Sequence, residues 1–107
     1  MNKNQPILVV SPNETDANAT AIILDHKGYQ MLVATNWREV KEVVVDQPPQ
    51  VVLLSLDEAP LWALDLLWEL KENLPHSQVI ILTNDMSKLY VSEALNVGVR
   101  GVLTKPL

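Results

Sequence analysis

The amino-acid sequence predicts an α/β fold, namely a doubly wound sheet of five parallel strands with helices on both faces. Short apolar runs such as Ile7–Val10 and Val51–Leu54 are typical of strands that are buried on both faces. Segments with the apolar spacing of helices separate these runs, and glycine or proline marks the junctions. Strand and helix alternate along the whole chain. Right-handed crossovers then place any site at the carboxyl ends of the strands.

Length and composition narrow the classes of function. A chain of 107 residues predicts one domain with one hydrophobic core. Its net charge of −5 and the lack of a Lys/Arg cluster argue against nucleic-acid binding by this segment. The absence of cysteine excludes disulfides and thiolate chemistry, and His26 and His76 have no second ligand at metal spacing. We therefore expect no metal and no cofactor.

Neither a signal peptide nor a membrane span is visible in the sequence. Residues 1–6 are polar and lead directly into an apolar run, and no apolar stretch approaches the ~20 residues that cross a bilayer. We expect a cytoplasmic protein without membrane contact.

The first strand is predicted at 7–10, followed by a helix for which Ser11 is the cap. Pro12 then fits the first helical position, and Glu14 would close a capping box. Gly28 follows the helix as a left-handed cap. The residues expected on or near its inward face are Ala17, Ala21, Ile22 and Leu24.

The remaining elements follow the same pattern. Strands are predicted at 29–34, 51–54, 79–82 and 101–104. Helices are predicted at 37–46, opened by Thr35 or Asn36, at 61–73 and at 87–97. Prolines end the second and third helices, and Gly98 ends the fourth.

Polar residues follow four of these strands: Ser11-Pro12, Ser55, Thr83 and Lys105-Pro106. Ser55 precedes Thr83 by 28 residues and Lys105 by 50, and Gly98 lies 15 residues after Thr83. This ordered set resembles the receiver domain of bacterial response regulators over essentially the whole chain. The resemblance implies the flavodoxin-like strand order 2-1-3-4-5 and a non-enzymatic role in two-component signalling.

In that family an acidic pair after strand one holds magnesium, and an aspartate after strand three accepts phosphate. Here Ser11 and Pro12 stand at the acidic pair and Ser55 at the phosphoacceptor, while Thr83 and Lys105 are retained. Magnesium prefers carboxylate oxygens, and phosphoryl transfer depends on that metal. Ser55 is not ionised and is expected to have no neighbouring base. The resemblance therefore indicates a degenerate pseudo-receiver with no catalytic residue.

Some polar side chains near the site have two interpretations. Lys105 could bind an anion, but hydrogen bonding to Ser55, Thr83 or a carbonyl is favoured, since an unpaired buried ammonium is unstable. Asp57 and Glu58 could rebuild a displaced metal site, although solvated loop carboxylates are favoured.

Three apolar side chains of the third helix, Trp62, Leu66 and Trp68, do not all fit its inward face. Two interpretations stay open: a partly exposed ridge that contacts another protein, or Trp62 folded over the altered acid pocket. Trp37 is interpreted as packing.

Receiver domains continue with a fifth helix after the Lys-Pro pair, whereas this sequence stops at Leu107. We expect a domain over 1–107 that is truncated before its last helix, with strands one, three and five partly uncovered. The leading hypothesis is an interaction or dimerisation module whose partners are other signalling proteins, an output domain of a longer chain, or a second copy. Its contact surface would be either the fourth helix with the fifth strand and the missing fifth helix, or the Trp62 ridge. The alternative is a sensor that holds an anion or small molecule at Ser55, Thr83 and Lys105.

Overall fold

The computed structural model describes residues 5–45, 48–55, 62–83 and 98–104, without the side chains of 62–64 and 66. The strands are β1 (Ile7–Val10), β2 (Met31–Ala34), β3 (Val51–Ser55), β4 (Gln78–Thr83) and β5 (Gly101–Thr104). The helices are α1 (Glu14–His26), α2 (Trp37–Val43) and α3 (Trp62–Asn73). The helix predicted at 87–97 lies outside the described residues.

All five strands pair in parallel in the order β2-β1-β3-β4-β5. The predicted fold class and strand order are therefore confirmed. In the register, Val10 pairs with Ala34 and Leu54, and Ser55 pairs with Leu82. The carboxyl ends of β1, β3 and β4 consequently lie side by side at one edge of the sheet.

The central strands β1, β3 and β4 are largely buried on both faces of the sheet, as is typical of parallel sheets. One face packs Leu8, Val10, Val52, Leu54 and Ile81 against Val40 of α2, against Leu67 and Leu70 of α3, and against Leu74, which directly follows α3. On the other face, Ile7, Val9, Leu53 and Leu82 pack with Ala17 of α1. The two cores hold the strand ends in fixed relative positions.

The start of α1 differs from the prediction. Asn13, not Ser11, is the N-cap, because its side-chain oxygen accepts a hydrogen bond from the Asp16 N–H at 3.1 Å. Ser11 Oγ instead accepts a hydrogen bond from the Asn13 N–H at 3.2 Å. The helix therefore begins at Glu14, two residues later than the Ser11 cap implied, and Asp16 becomes its third residue.

The end of α1 is a Schellman motif around Gly28. The Gly28 N–H donates to the Asp25 carbonyl at 2.9 Å and the Tyr29 N–H to the Leu24 carbonyl at 3.3 Å. Gly28 has φ 92°, which confirms the predicted left-handed cap. Since Tyr29 completes this motif, β2 begins at Met31 and not at Tyr29 as predicted.

Two other details of the helices were predicted incorrectly. Ile22 was placed on or near the inward face of α1, but its side chain is 58% exposed, whereas Ala17 and Ala21 are buried. Helix α2 was expected to reach residue 46, but it ends at Val43 with Val44 as its C-cap. The β-branched residues here disfavour further helical turns.

The α1 side of the sheet is incompletely covered toward β5. Leu103 is 47% exposed, and Ile80 and Val51 are only partly buried. Strand β1, in contrast, is fully covered on this side. The expected exposure therefore affects β5 and part of β3, and its extension to strand one was wrong because α1 packs there.

Leu54 and Leu103 provide a matched pair for testing the core. Leu54→Ala should lower the free energy of unfolding by about 2–5 kcal/mol, because Leu54 is fully buried. Leu103→Ala should cost under about 1 kcal/mol, since half of that side chain already meets solvent. Urea unfolding of both variants measures the difference. Equal losses would contradict the assigned burial.

Candidate functional site

The carboxyl edge of the sheet brings three hydroxyl side chains together. Ser11 follows β1, Ser55 ends β3, and Thr83 ends β4, and these strands are neighbours in the sheet. All three residues are buried. Buried hydroxyls need hydrogen-bond partners, so the identity of those partners determines what this edge can do.

Asp16 supplies a carboxylate to this edge from the first turn of α1. Its Oδ2 atom accepts a hydrogen bond from Ser55 Oγ at 2.6 Å and a second from Ser11 Oγ at 3.0 Å. Both hydroxyls therefore donate to the same oxygen, and one side chain links the ends of β1 and β3 to α1. We refer to Ser11, Asp16 and Ser55 as the bridge.

The local structure of the β1–α1 turn positions the bridge. Asn13 caps the helix, which places Asp16 in its first turn, facing the strand ends. Ser11 Oγ accepts from the Asn13 N–H while it donates to Asp16, so its acceptor and donor capacities are both used. Pro12, by contrast, is exposed.

Asp16 was missed in the sequence analysis. The expectation that no base lies beside Ser55 is wrong, because the Asp16 carboxylate accepts its hydrogen bond. The usable signal was the Asn-x-x-Asp spacing of 13–16, which predicts a helix beginning after Asn13. With the cap at Ser11, the helix would start at Pro12 and Asp16 would be its fifth residue, beyond the first turn.

A single carboxylate is a poor site for a divalent cation. No group of three or more His, Cys, Asp or Glu residues that could hold a metal occurs within the described ranges. Asp57, Glu58 and Lys105, for which metal or anion binding was considered, lie outside those ranges. Within them, the bridge combines one carboxylate with two hydroxyls, and Thr83 lies at the neighbouring strand end.

The tryptophan residues differ in their surroundings. Trp68 is 55% exposed, which agrees with a surface position on α3. Side chains of Trp62 and Leu66 lie outside the described part of the chain, so the ridge stays a prediction there. Trp37 is partly buried against the core beneath α2, which agrees with its interpretation as packing.

The β2–α2 turn contains a second helix N-cap, formed by Asn36. Asn36 accepts from the Glu39 N–H at 2.9 Å, and Glu39 Oε1 accepts from both Thr35 Oγ1 and the Thr35 N–H, each at 2.6 Å. These bonds lower the pKa of the Glu39 carboxyl. The Thr35 hydroxyl has the largest effect, its N–H adds to it, and the nearby Arg38 charge contributes least.

Comparison with known proteins agrees with this architecture. The sequence profile of the response regulator receiver domain matches residues 7–107. The chain therefore belongs to the response regulator receiver domain family, which acts in two-component signalling. Comparison with curated proteins gave no match.

Solved structures share the fold. A response regulator from Thermotoga maritima superposes with a TM-score of 0.81 at 19% identity, covering 96% of this chain and 86% of that one. The orphan response regulator HP1043 of H. pylori gives a TM-score of 0.76 at 16% identity, with 100% and 87% coverage. A Burkholderia pseudomallei response regulator protein, solved with a phosphorylated aspartic acid, calcium ion and citrate, gives 0.77 at 22%, with 96% and 61% coverage.

Receiver domains are in general non-enzymatic signalling modules that interact with other signalling proteins or with output domains. Among the described residues, no helix combines the length and the apolar character needed to traverse a bilayer.

The bridge should contribute to stability. Asp16→Ala removes the acceptor of two buried hydroxyls and should lower the free energy of unfolding by about 1–3 kcal/mol. Asp16→Asn should cost less, because its amide oxygen still accepts. Glu14→Ala is the matched control, since it removes an exposed charge from the same helical turn. Urea unfolding compares the three variants, and a loss for Asp16→Ala no larger than for Glu14→Ala would rule out the bridge.

Glu39 should give stability a pH dependence. Because its pKa is lowered in the folded chain, its hydrogen bonds stabilise fully above the unfolded pKa and are lost as the pH falls through the folded value. The stability difference between the wild type and Glu39→Gln should therefore shrink between about pH 5 and pH 3. Urea midpoints across this range measure it. Glu42→Gln on the same helix is the control, and a difference that does not vary with pH would contradict the assignment.

Proposed function

We propose that this domain is a pseudo-receiver that does not accept phosphate and that acts by binding other proteins in two-component-type signalling. The observation that supports this most directly is the hydrogen bond from Ser55 Oγ to Asp16 Oδ2 at 2.6 Å. At the position of the family's phosphoacceptor aspartate, the chain has a hydroxyl that donates to an internal carboxylate.

The chemistry of phosphoryl transfer supports the same proposal. A receiver needs a carboxylate nucleophile and a magnesium ion that neutralises the developing charge. Ser11 and Pro12 provide no carboxylate, and the Oδ2 atom of Asp16 already accepts two hydrogen bonds. One engaged carboxylate does not replace the three acidic groups of the family's site.

Asp16 also argues against activation of Ser55 as a nucleophile. A carboxylate is a weak base toward an aliphatic hydroxyl, and the described neighbours of Ser55 at this edge, Ser11 and Thr83, carry no charge that would neutralise a phosphoryl donor. The short hydrogen bond instead holds β3 to α1. We therefore assign the bridge a structural role.

The fold of the domain and an exposed tryptophan on its surface support a role in binding other proteins. The chain has the fold of a signalling module, and Trp68 is half exposed on α3. Tryptophan is enriched at the centres of protein interfaces. The partners we propose are another cytoplasmic signalling protein, an output domain or a second copy, contacted through α3 at Trp68 together with Trp62 and Leu66.

The alternative, an anion sensor at the carboxyl edge, is less well supported. An anion at Ser55 would approach the Asp16 carboxylate, and the hydroxyl that would bind it already donates to that carboxylate. Repulsion between like charges in a partly buried site disfavours such a ligand.

Calorimetric titration with magnesium and beryllofluoride tests the proposal. The wild type should bind neither the metal nor the phosphoryl mimic, because the carboxylates that would hold them are missing. Saturable binding of beryllofluoride at millimolar concentration would show a working acceptor and overturn the proposal. Asp16→Asn would then show whether Asp16 is that acceptor.

A variant tests the physical reason. S11D/P12D/S55D returns carboxylates to the three altered positions and should gain magnesium binding that the wild type lacks. S11N/P12N/S55N is the matched control, since it introduces side chains of the same size without charge. If the acidic variant folds but still binds no magnesium, the residues at these three positions are not the reason that the wild type binds none.

A further inference from the structure

A cavity of about 300 Å³ opens beside the carboxyl edge of the sheet, on the face covered by α2 and α3. It lies between the turn after β1, the start of α2 and the part of α3 that carries Asp65 and Glu69. The described residues that line it are Val10, Pro12, Thr35, Asn36, Trp37, Asp65 and Glu69. The cavity is distinct from the bridge, because Ser11, Asp16 and Ser55 do not line it.

The lining combines an apolar interior with negative charge. Val10, Pro12 and the Trp37 indole form apolar walls, and Asp65 and Glu69 are exposed on α3. These two carboxylates are four residues apart, so they project from the same side of the helix. The described lining residues include no lysine or arginine, and neither carboxylate forms an ion pair in the described part of the chain.

From this arrangement we infer that the cavity binds a small organic cation with a guanidinium or alkylammonium group. An indole attracts such cations through its ring face, and carboxylates at the rim complement their charge. An alkyl arm would be accommodated by Val10 and Pro12. The volume is at the lower end of small-molecule sites, which fits a ligand of amino-acid size.

The overall charge supports a cation. The chain carries a net charge of −5, so its field attracts cations and repels anions. The inferred ligand therefore has the opposite charge to the one that the anion-sensor hypothesis requires. The inference does not depend on the proposed function, because it concerns residues outside the bridge.

Titration with agmatine, which carries a guanidinium and an ammonium group on one alkyl chain, tests the inference by NMR. The Trp37 indole N–H and the backbone resonances of Asp65 and Glu69 should shift saturably, and added salt should weaken binding. The matched ligand 4-guanidinobutyrate replaces the ammonium by a carboxylate and should bind more weakly. Equal shifts with both ligands, or none with agmatine, would overturn the inference.

D65N/E69Q tests the assignment of the residues. Removing both charges from the exposed surface of α3 should leave the fold intact and weaken agmatine binding by about five- to tenfold. Glu72→Gln is the control, because it removes a charge from the same helix outside the cavity and should leave binding unchanged. Equal weakening by both changes would indicate general charge attraction and refute a site.

A short blocked peptide with one arginine provides the last comparison. If the peptide shifts the Trp37 indole N–H and agmatine does not, the cavity receives a side chain of a protein partner, and the small-molecule inference fails. Magnesium and beryllofluoride titrations probe the bridge, not these resonances. Failure of this inference is therefore distinguishable from failure of the proposed function.

Discussion

The structure depends on the burial of a parallel sheet on both faces. Helices cover the central strands on both faces of the sheet, so these strands are short and apolar and their polar residues lie at the ends. In this chain Ser11 directly follows the apolar run of β1, and Ser55 is the last residue of β3. The same packing that forms the core thus brings these hydroxyls to one edge, where each has to find a partner.

The hydrogen-bond partner of both serines is Asp16 of α1, so this edge of the sheet contains a carboxylate bound by two hydroxyls. A hydroxyl that donates to a carboxylate forms a stronger hydrogen bond than one between neutral groups. Asp16 accepts from both serines through one oxygen atom, so the turn, the helix and two strands are connected at a single point. At this edge the polar side chains of the chain bind one another through internal hydrogen bonds.

The fold could be predicted from the sequence because strand and helix periods alternate clearly, and each of the five strands overlaps the run predicted for it, although β2 starts two residues later. Sheet topology then placed Ser11, Ser55 and Thr83 at one edge. Asp16 could not be placed, since its direction depends on which residue caps α1, and Ser11 and Asn13 are both good caps. The cavity beside Trp37 was also not predictable, because it arises from the packing of α2 and α3 and not from a motif.

The bridge has a consequence for how the domain responds to signals. A switchable protein changes state because a ligand or modification binds one conformation more tightly than another, and the response follows the ligand's concentration. A carboxylate that belongs to the chain is always present in a one-to-one ratio, so its bias toward one conformation is constant. The hydrogen bonds of the bridge therefore stabilise the fold without depending on the concentration of any ligand.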